Sequence, residues 1–183
     1  FVQQPTKKAK ALAYILYDAN IISKQNDFTK LTTISPMGNG NEAGLIGVNM
    51  LATYRKEVNT IVADPELIKL AHANIEAFLV EADKLEYLAK DNIRLWLTSA
   101  ELAAFKMAIT TPPEPEHLSR ALMYIDRAEA LSPGNPRIYW TYGRIYISAR
   151  EFTKAHEAYT KALDIDPEIN LSRQYLIKFN ETF

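Results

Sequence analysis

The chain has 183 residues and a formal net charge of −1, with 48% hydrophobic and 23% charged residues. That balance fits an ordinary soluble globular protein and supplies no basic stripe for phosphate neutralisation, which argues against nucleic acid and anionic lipid as partners. Cysteine is absent, which excludes disulfides, thiolate nucleophiles and cysteine-held zinc.

The first residue is Phe1, and no charged-then-apolar leader follows it, so the sequence reads as a piece of a longer protein. The longest apolar runs, such as Ala13 to Tyr17, are about a quarter of the ~20 residues that a spanning helix needs. Direct membrane insertion of this piece is therefore not expected. Six glycines and nine prolines occur, the prolines mostly between periodic segments, and no alternating strand pattern appears. The fold class expected is all-α.

In chain order, a helix is expected from about Thr6 to Lys24, then a short one from Asn26 through Phe28, Leu31 and Ile34. Met37 to Asn41 is the most loop-like stretch, and a helix follows from about Glu42 to Asn59. Asp64-Pro65-Glu66 is a helix start with a capping carboxylate and a proline in the first turn. Leu67, Leu70, Ala71, Ile75, Phe78, Leu79, Ala82 and Leu85 step by three and four, which predicts a long helix to about Ala89. Asn92 caps a helix reaching Ile109. A proline-rich loop at 110–116 precedes helices at about 116–131, 135–149, 152–165 and 168–182. Two regions result: 1–90, of irregular helical hairpins, and 91–183.

The second region repeats. Pro133 and Pro167 lie 34 residues apart, as do Ala128 and Ala162, Ala121 and Ala155, Leu131 and Ile165, and Leu118 and Phe152. A fixed period of this length marks stacked helix pairs. The unit from Pro136 carries Tyr139, Tyr142, Gly143 and Tyr146 on its first helix and Phe152, Ala155, Tyr159 and Ala162 on its second. It resembles the tetratricopeptide repeat family; Arg150 stands where a turn glycine is commoner. The resemblance implies antiparallel pairs stacked as an α-solenoid over the C-terminal half, ended by a capping helix. The unit before it is stretched by about nine residues, with Asn92, Trp96 and Ala100 aligned on Asn135, Tyr139 and Gly143.

The wider pattern also resembles the soluble C-terminal region of bacterial O-antigen ligase and polymerase-like membrane proteins. It runs from Asp27-Phe28-Thr29-Lys30-Leu31 through Ser35-Pro36-Met37-Gly38 to Ser132-Pro133-Gly134-Asn135-Pro136. That resemblance implies a membrane glycosyltransferase outside this sequence, a tether through it, and no catalytic residue here. The side of the membrane stays open.

No convincing chemistry emerges. His72 and Glu76 share a helix face at i, i+4, but two ligands do not make a metal site. The glycines at 38, 40 and 44 follow no strand, so they cradle no phosphate. Neither a cofactor nor an enzymatic activity is expected. The repeat resemblance places Arg94, Leu97, Glu101 and Ala104 on the inner surface of the stretched unit, and Arg137, Trp140, Arg144 and Ile147 on that of the next. Two arginines beside an exposed Trp140 would suit a protein or peptide partner with acidic groups; alternatively, Trp140 packs on the next helix and the arginines are solvated. Thr98 and Thr141 stand where a carboxylate clamp would carry asparagine. The function expected is a non-catalytic interaction scaffold, either attached to that membrane glycosyltransferase or as a free-standing adaptor. On this register Arg144→Ala changes stability by less than about 0.5 kcal/mol, and Gly143→Leu costs roughly 1–3 kcal/mol by overpacking.

Overall fold

The computed structural model describes residues 36–168 except 88, 111 and 113, together with residues 173–177; side chains are described from Ala43 on. The two helices expected before Pro36 lie outside the described residues. The described chain is all-helical and divides between Lys90 and Asp91 into two units.

The first unit contains α1 (Pro36–Lys56), α2 (Val58–Val62) and α3 (Pro65–Lys84). Residues 37–41, expected as a loop, lie inside α1. Proline is pre-set for a first helical turn, and glycines at 38 and 40 each cost only about 1 kcal/mol relative to alanine in a helix. No described glycine takes a positive φ, so these glycines do not make a turn. The helix expected over 42–59 breaks at Glu57, which separates α1 from α2. The start of α3 follows the sequence: Asp64 Oδ1 accepts from Glu66 N at 3.0 Å, and Pro65 opens the helix. Its end comes five residues earlier than expected, because Leu85 N turns back to Ala82 O at 3.0 Å. Tyr54, Ile61, Leu67, Ile75, Phe78 and Leu79 make the core of this unit. The Asn74 amide is buried among them and donates to Tyr54 Oη at 3.3 Å.

The second unit contains α4 (Ile93–Ala108), α5 (Pro115–Leu131), α6 (Pro136–Ser148) and α7 (Phe152–Ile165), with residues 173–177 also helical. Consecutive helices pair, α4 with α5 and α6 with α7, and α6 also packs on α4 and α5. Short connections force each pair antiparallel. Asn92 Oδ1 accepts from Leu95 N and Asn135 Oδ1 from Arg137 N, both at 3.0 Å, so an asparagine caps each first helix, through the third helical residue in one and the second in the other.

The 34-residue period is visible as burial. Ala121, Ile125 and Ala128 on α5 are fully buried, and so are Ala155, Tyr159 and Ala162 at the equivalent positions of α7. Leu131 and Ile165 are each 38% exposed. The stretch in the first pair is shared more widely than expected: α4 has 16 residues against 13 in α6, and α5 has 17 against 14 in α7.

Arg150 takes φ 62° after α6. Its N–H donates to Ile147 O at 3.0 Å and that of Glu151 to Tyr146 O at 2.8 Å. This is the paired hydrogen bonding of a left-handed helix cap, which usually takes glycine. The arginine holds the turn at a conformational cost that glycine would avoid.

Candidate functional site

The arginine face of α6 looks inward. Arg137, Trp140 and Arg144 stand at i, i+3 and i+7, which brings them to one side of the helix. The same side meets Glu101 of α4, a residue only 3% exposed. Arg144 Nη1 lies 3.5 Å from Glu101 Oε2, and Arg137 Nη2 lies 3.9 Å from Oε1. A buried carboxylate needs such cations close by. The Arg137 side chain is 60% exposed but that of Arg144 only 22%. Arg144 also stacks its guanidinium 4.9 Å from the centre of the Trp140 ring.

Of the two alternatives for Trp140, exposed anchor or packing residue, the structure takes the second: the side chain is 8% exposed. The Tyr175 ring packs edge-on against it at 6.3 Å and lies nearly parallel to that of Tyr159 at 5.2 Å. Ile147 and Leu176 pack against the same cluster. Leu97 and Ala104 are buried on α4 and Arg94 is exposed. The structure therefore brings Glu101, Arg137, Trp140 and Arg144 together, but as an interlock of α4 with α6. Two polar atoms in the neighbouring aromatic cluster, Trp140 Nε1 of α6 and Tyr159 Oη of α7, are buried without a hydrogen bond.

His72 and Glu76 are half-buried on α3 and each has an interaction partner. His117 Nε2 lies 3.5 Å from Glu114 Oε2 at the start of α5. Among the described residues no three acidic, histidine or cysteine side chains converge as a metal site would require, and no helix is long and apolar enough to cross a membrane.

The other side of α6 opens instead. Tyr139, Tyr142 and Tyr146 run along it as a ladder of near-parallel rings with centroids 6.2 and 6.3 Å apart. The ladder forms the floor of a cleft of about 530 Å³, with α5 supplying Leu122, Asp126 and Glu129 as one wall. Lys154, Glu157, Ala158 and Lys161 of α7 supply the other. The Tyr139 hydroxyl shares its proton between Glu129 Oε1 at 2.7 Å and Pro133 O at 2.8 Å. The Tyr142 hydroxyl does so between Asp126 Oδ1 at 2.5 Å and Glu129 Oε2 at 2.8 Å. Lys161 Nζ completes the hub at 4.0 Å from Glu129 Oε1.

In the sequence these tyrosines stand only as positions that carry the repeat resemblance, and the cleft is not among its expectations. The hydroxyls of Tyr139 and Tyr142 tie α6 to α5, while lysines of α7 lie over the rings of Tyr139 and Tyr146. The only forward signal was three tyrosines on one helix face, and the lysines opposite could be assigned only with the register of α6 against α7 in hand.

The electrostatics follow from this geometry. Hydrogen bonding from Tyr139 holds the Glu129 carboxyl below its ordinary value of 4.5; burial opposes the shift, and Tyr142 and Lys161 add to it. The hydrogen bond to Glu129 raises Tyr139, and burial raises Tyr142, Tyr146 and Tyr159. Because Glu129 is lowered in the folded state, its stabilising contribution is present above 4.5 and disappears as pH falls through the lower folded value. Urea unfolding of the chain should therefore show stability falling below about pH 4.5. Glu129→Gln should lower stability at pH 7 and flatten that acid limb. An unchanged limb would remove Glu129 from the hub.

Residues 136–169 match the family model of the tetratricopeptide repeat. Among curated proteins, the chain is 30% identical over 129 residues to the protein adenylyltransferase fic-1 of Caenorhabditis briggsae, an alignment covering 68% of this chain and 24% of that protein. The chain thus spans about a quarter of the relative's length. No solved structure matches it. On the helix pair α6–α7, with its matched burial and with Gly143 set directly against the Tyr159 ring, the chain carries a tetratricopeptide repeat.

Proposed function

We propose that this chain is a non-catalytic module that holds a protein partner on its second unit. The observation that carries the reading is the state of the ionisable groups around the repeat. Glu101 is neutralised by arginines, and Glu129 and Asp126 accept from tyrosines. The tyrosines are shifted away from neutral pH, the opposite of the tuning that proton transfer requires. What this packing leaves open is a walled, aromatic-floored cleft, the form of a recognition surface.

Two contexts fit such a module. The resemblance running from Asp27-Phe28 to Asn135-Pro136 supports the soluble part of a bacterial O-antigen ligase or polymerase-like membrane glycosyltransferase, tethered through that enzyme. The similarity to the C. briggsae adenylyltransferase supports a neighbour of a nucleotide-transferring domain. A free-standing adaptor is the simplest alternative.

A photo-crosslinking residue at Glu157, in the natural full-length protein, should give a defined protein adduct by mass spectrometry; the same residue at exposed Lys69 should not. The chain alone should transfer no AMP from labelled ATP to itself or to added protein. AMP transfer, or equal capture from both positions, would overturn the module reading. Sequencing of the flanking reading frame then separates the contexts: multiple apolar spans support the first and a catalytic domain the second.

A further inference from the structure

The ligand chemistry of the tyrosine cleft follows from the register of α6 against α7, and this step rests on the reading of the unit as a partner-holding module. Lys154 Nζ lies over the Tyr146 ring at 5.5 Å, and Lys161 Nζ over the Tyr139 ring at 4.1 Å. In an antiparallel pair these contacts fix all positions between them. Descending α6 from residue 146 to 142 to 139 is ascending α7 from 154 to 158 to 161. The residue opposite Tyr142 is therefore Ala158.

Three rings of one ladder thus face an ammonium, a methyl group and an ammonium. The two outer rings carry cations from the chain itself, and among the described residues none lies over the middle one. Ala158 lines the cleft at this point. Asp126 and Glu157, both exposed, stand on its opposite walls. Its lining carries three carboxylates, Asp126, Glu129 and Glu157, against two lysines, so one negative charge is left over. An electron-rich ring face between carboxylates attracts an organic cation.

We propose that the cleft binds one organic cation, the guanidinium or ammonium of a partner protein's basic side chain, over Tyr142 and between Asp126 and Glu157. The chain already makes this contact twice with its own lysines, and the partner supplies the third. Charge complementarity commits the site to a basic occupant.

The test is calorimetric titration of the whole chain with a hexa-arginine peptide at low salt. One peptide should bind per chain, and hexa-glutamate should not bind. Asp126→Asn with Glu157→Gln should weaken hexa-arginine at least about tenfold, equivalent to ~1.4 kcal/mol. Ala158→Lys should abolish binding, since it places the chain's own ammonium over the third ring. Circular dichroism checks that this variant folds; if it does not, the Asp126/Glu157 double variant decides the matter alone. Hexa-arginine binding that is absent, or undiminished in the double variant, would overturn the proposal. Arginine amide binding as tightly as the peptide would overturn the protein source in favour of a free cation. A specific crosslink from position 157 without hexa-arginine binding would remove the cation chemistry and leave the module reading intact.

Discussion

Gly143→Leu should destabilise the second unit by about 3 kcal/mol, the upper end of what overpacking a core typically costs. A Cβ at this position would sit 2.6 Å from Cδ1 and Cζ of Tyr159, well inside van der Waals contact. The ring cannot swing away cheaply, because Tyr159 is fully buried and its other side faces Tyr175 at 5.2 Å. Relief requires α6 and α7 to separate, which would open the register on which the tyrosine ladder depends. Alanine in a helix is favoured over glycine by up to ~1 kcal/mol, so Gly143→Ala should lose less but still lose. Urea unfolding followed by helical circular dichroism measures both. Tyr159→Leu in the Gly143→Ala background should cost less than in the wild type, because the smaller side chain removes the clash. A Gly143→Ala variant as stable as the parent would show that the helices have room to spare.

Arg144→Ala should cost about 2 kcal/mol, well above the small change that the sequence alone implied. A surface arginine is worth little, but this one is mostly covered, stacks on Trp140 and faces the carboxylate of Glu101. Removing it withdraws the nearer cation from a buried charge, which is where ion-pair losses become large. Arg137, farther from Glu101 and largely exposed, cannot replace it, since a solvated pair contributes little. Arg137→Ala should accordingly leave the unfolding midpoint almost unchanged. A double-mutant cycle with Glu101→Gln separates charge from packing. If the ion pair matters most, Arg144→Ala should lose most of its effect once Glu101 is neutral. If the cost is the same in both backgrounds, the stack on Trp140 carries it instead.

The contrast between these two residues marks how far one-dimensional reading reaches. Helix existence was legible because apolar residues spaced by three and four can bury themselves only on a helix. Caps at Asp64 and Asn92 were legible because a side-chain acceptor before a first turn satisfies local donors without distant help. The repeat was legible because equivalent positions in stacked hairpins meet equivalent surroundings, so the same alanines recur 34 residues apart. Gly143 belongs to this class, since a glycine in mid-helix beside a tyrosine-bearing partner helix signals close approach.

Other features depended on partners far away in the chain. The helical course of 36–41 went against the local glycine signal, which permits a turn but does not compel one. Arg137 and Arg144 could be placed on one face from their spacing. That the face meets Glu101 and Tyr175 rather than water was decided by how α4 and residues 173–177 pack against α6. Tyr142 looked like its neighbours in sequence, and only the antiparallel register set an alanine opposite it and lysines opposite the other two. Short-range periodicity thus determined the helices and the repeat unit. Burial, ion pairing and the open cleft were fixed by side chains distant in sequence, because charge and cavity belong to the space between elements and not to any one of them.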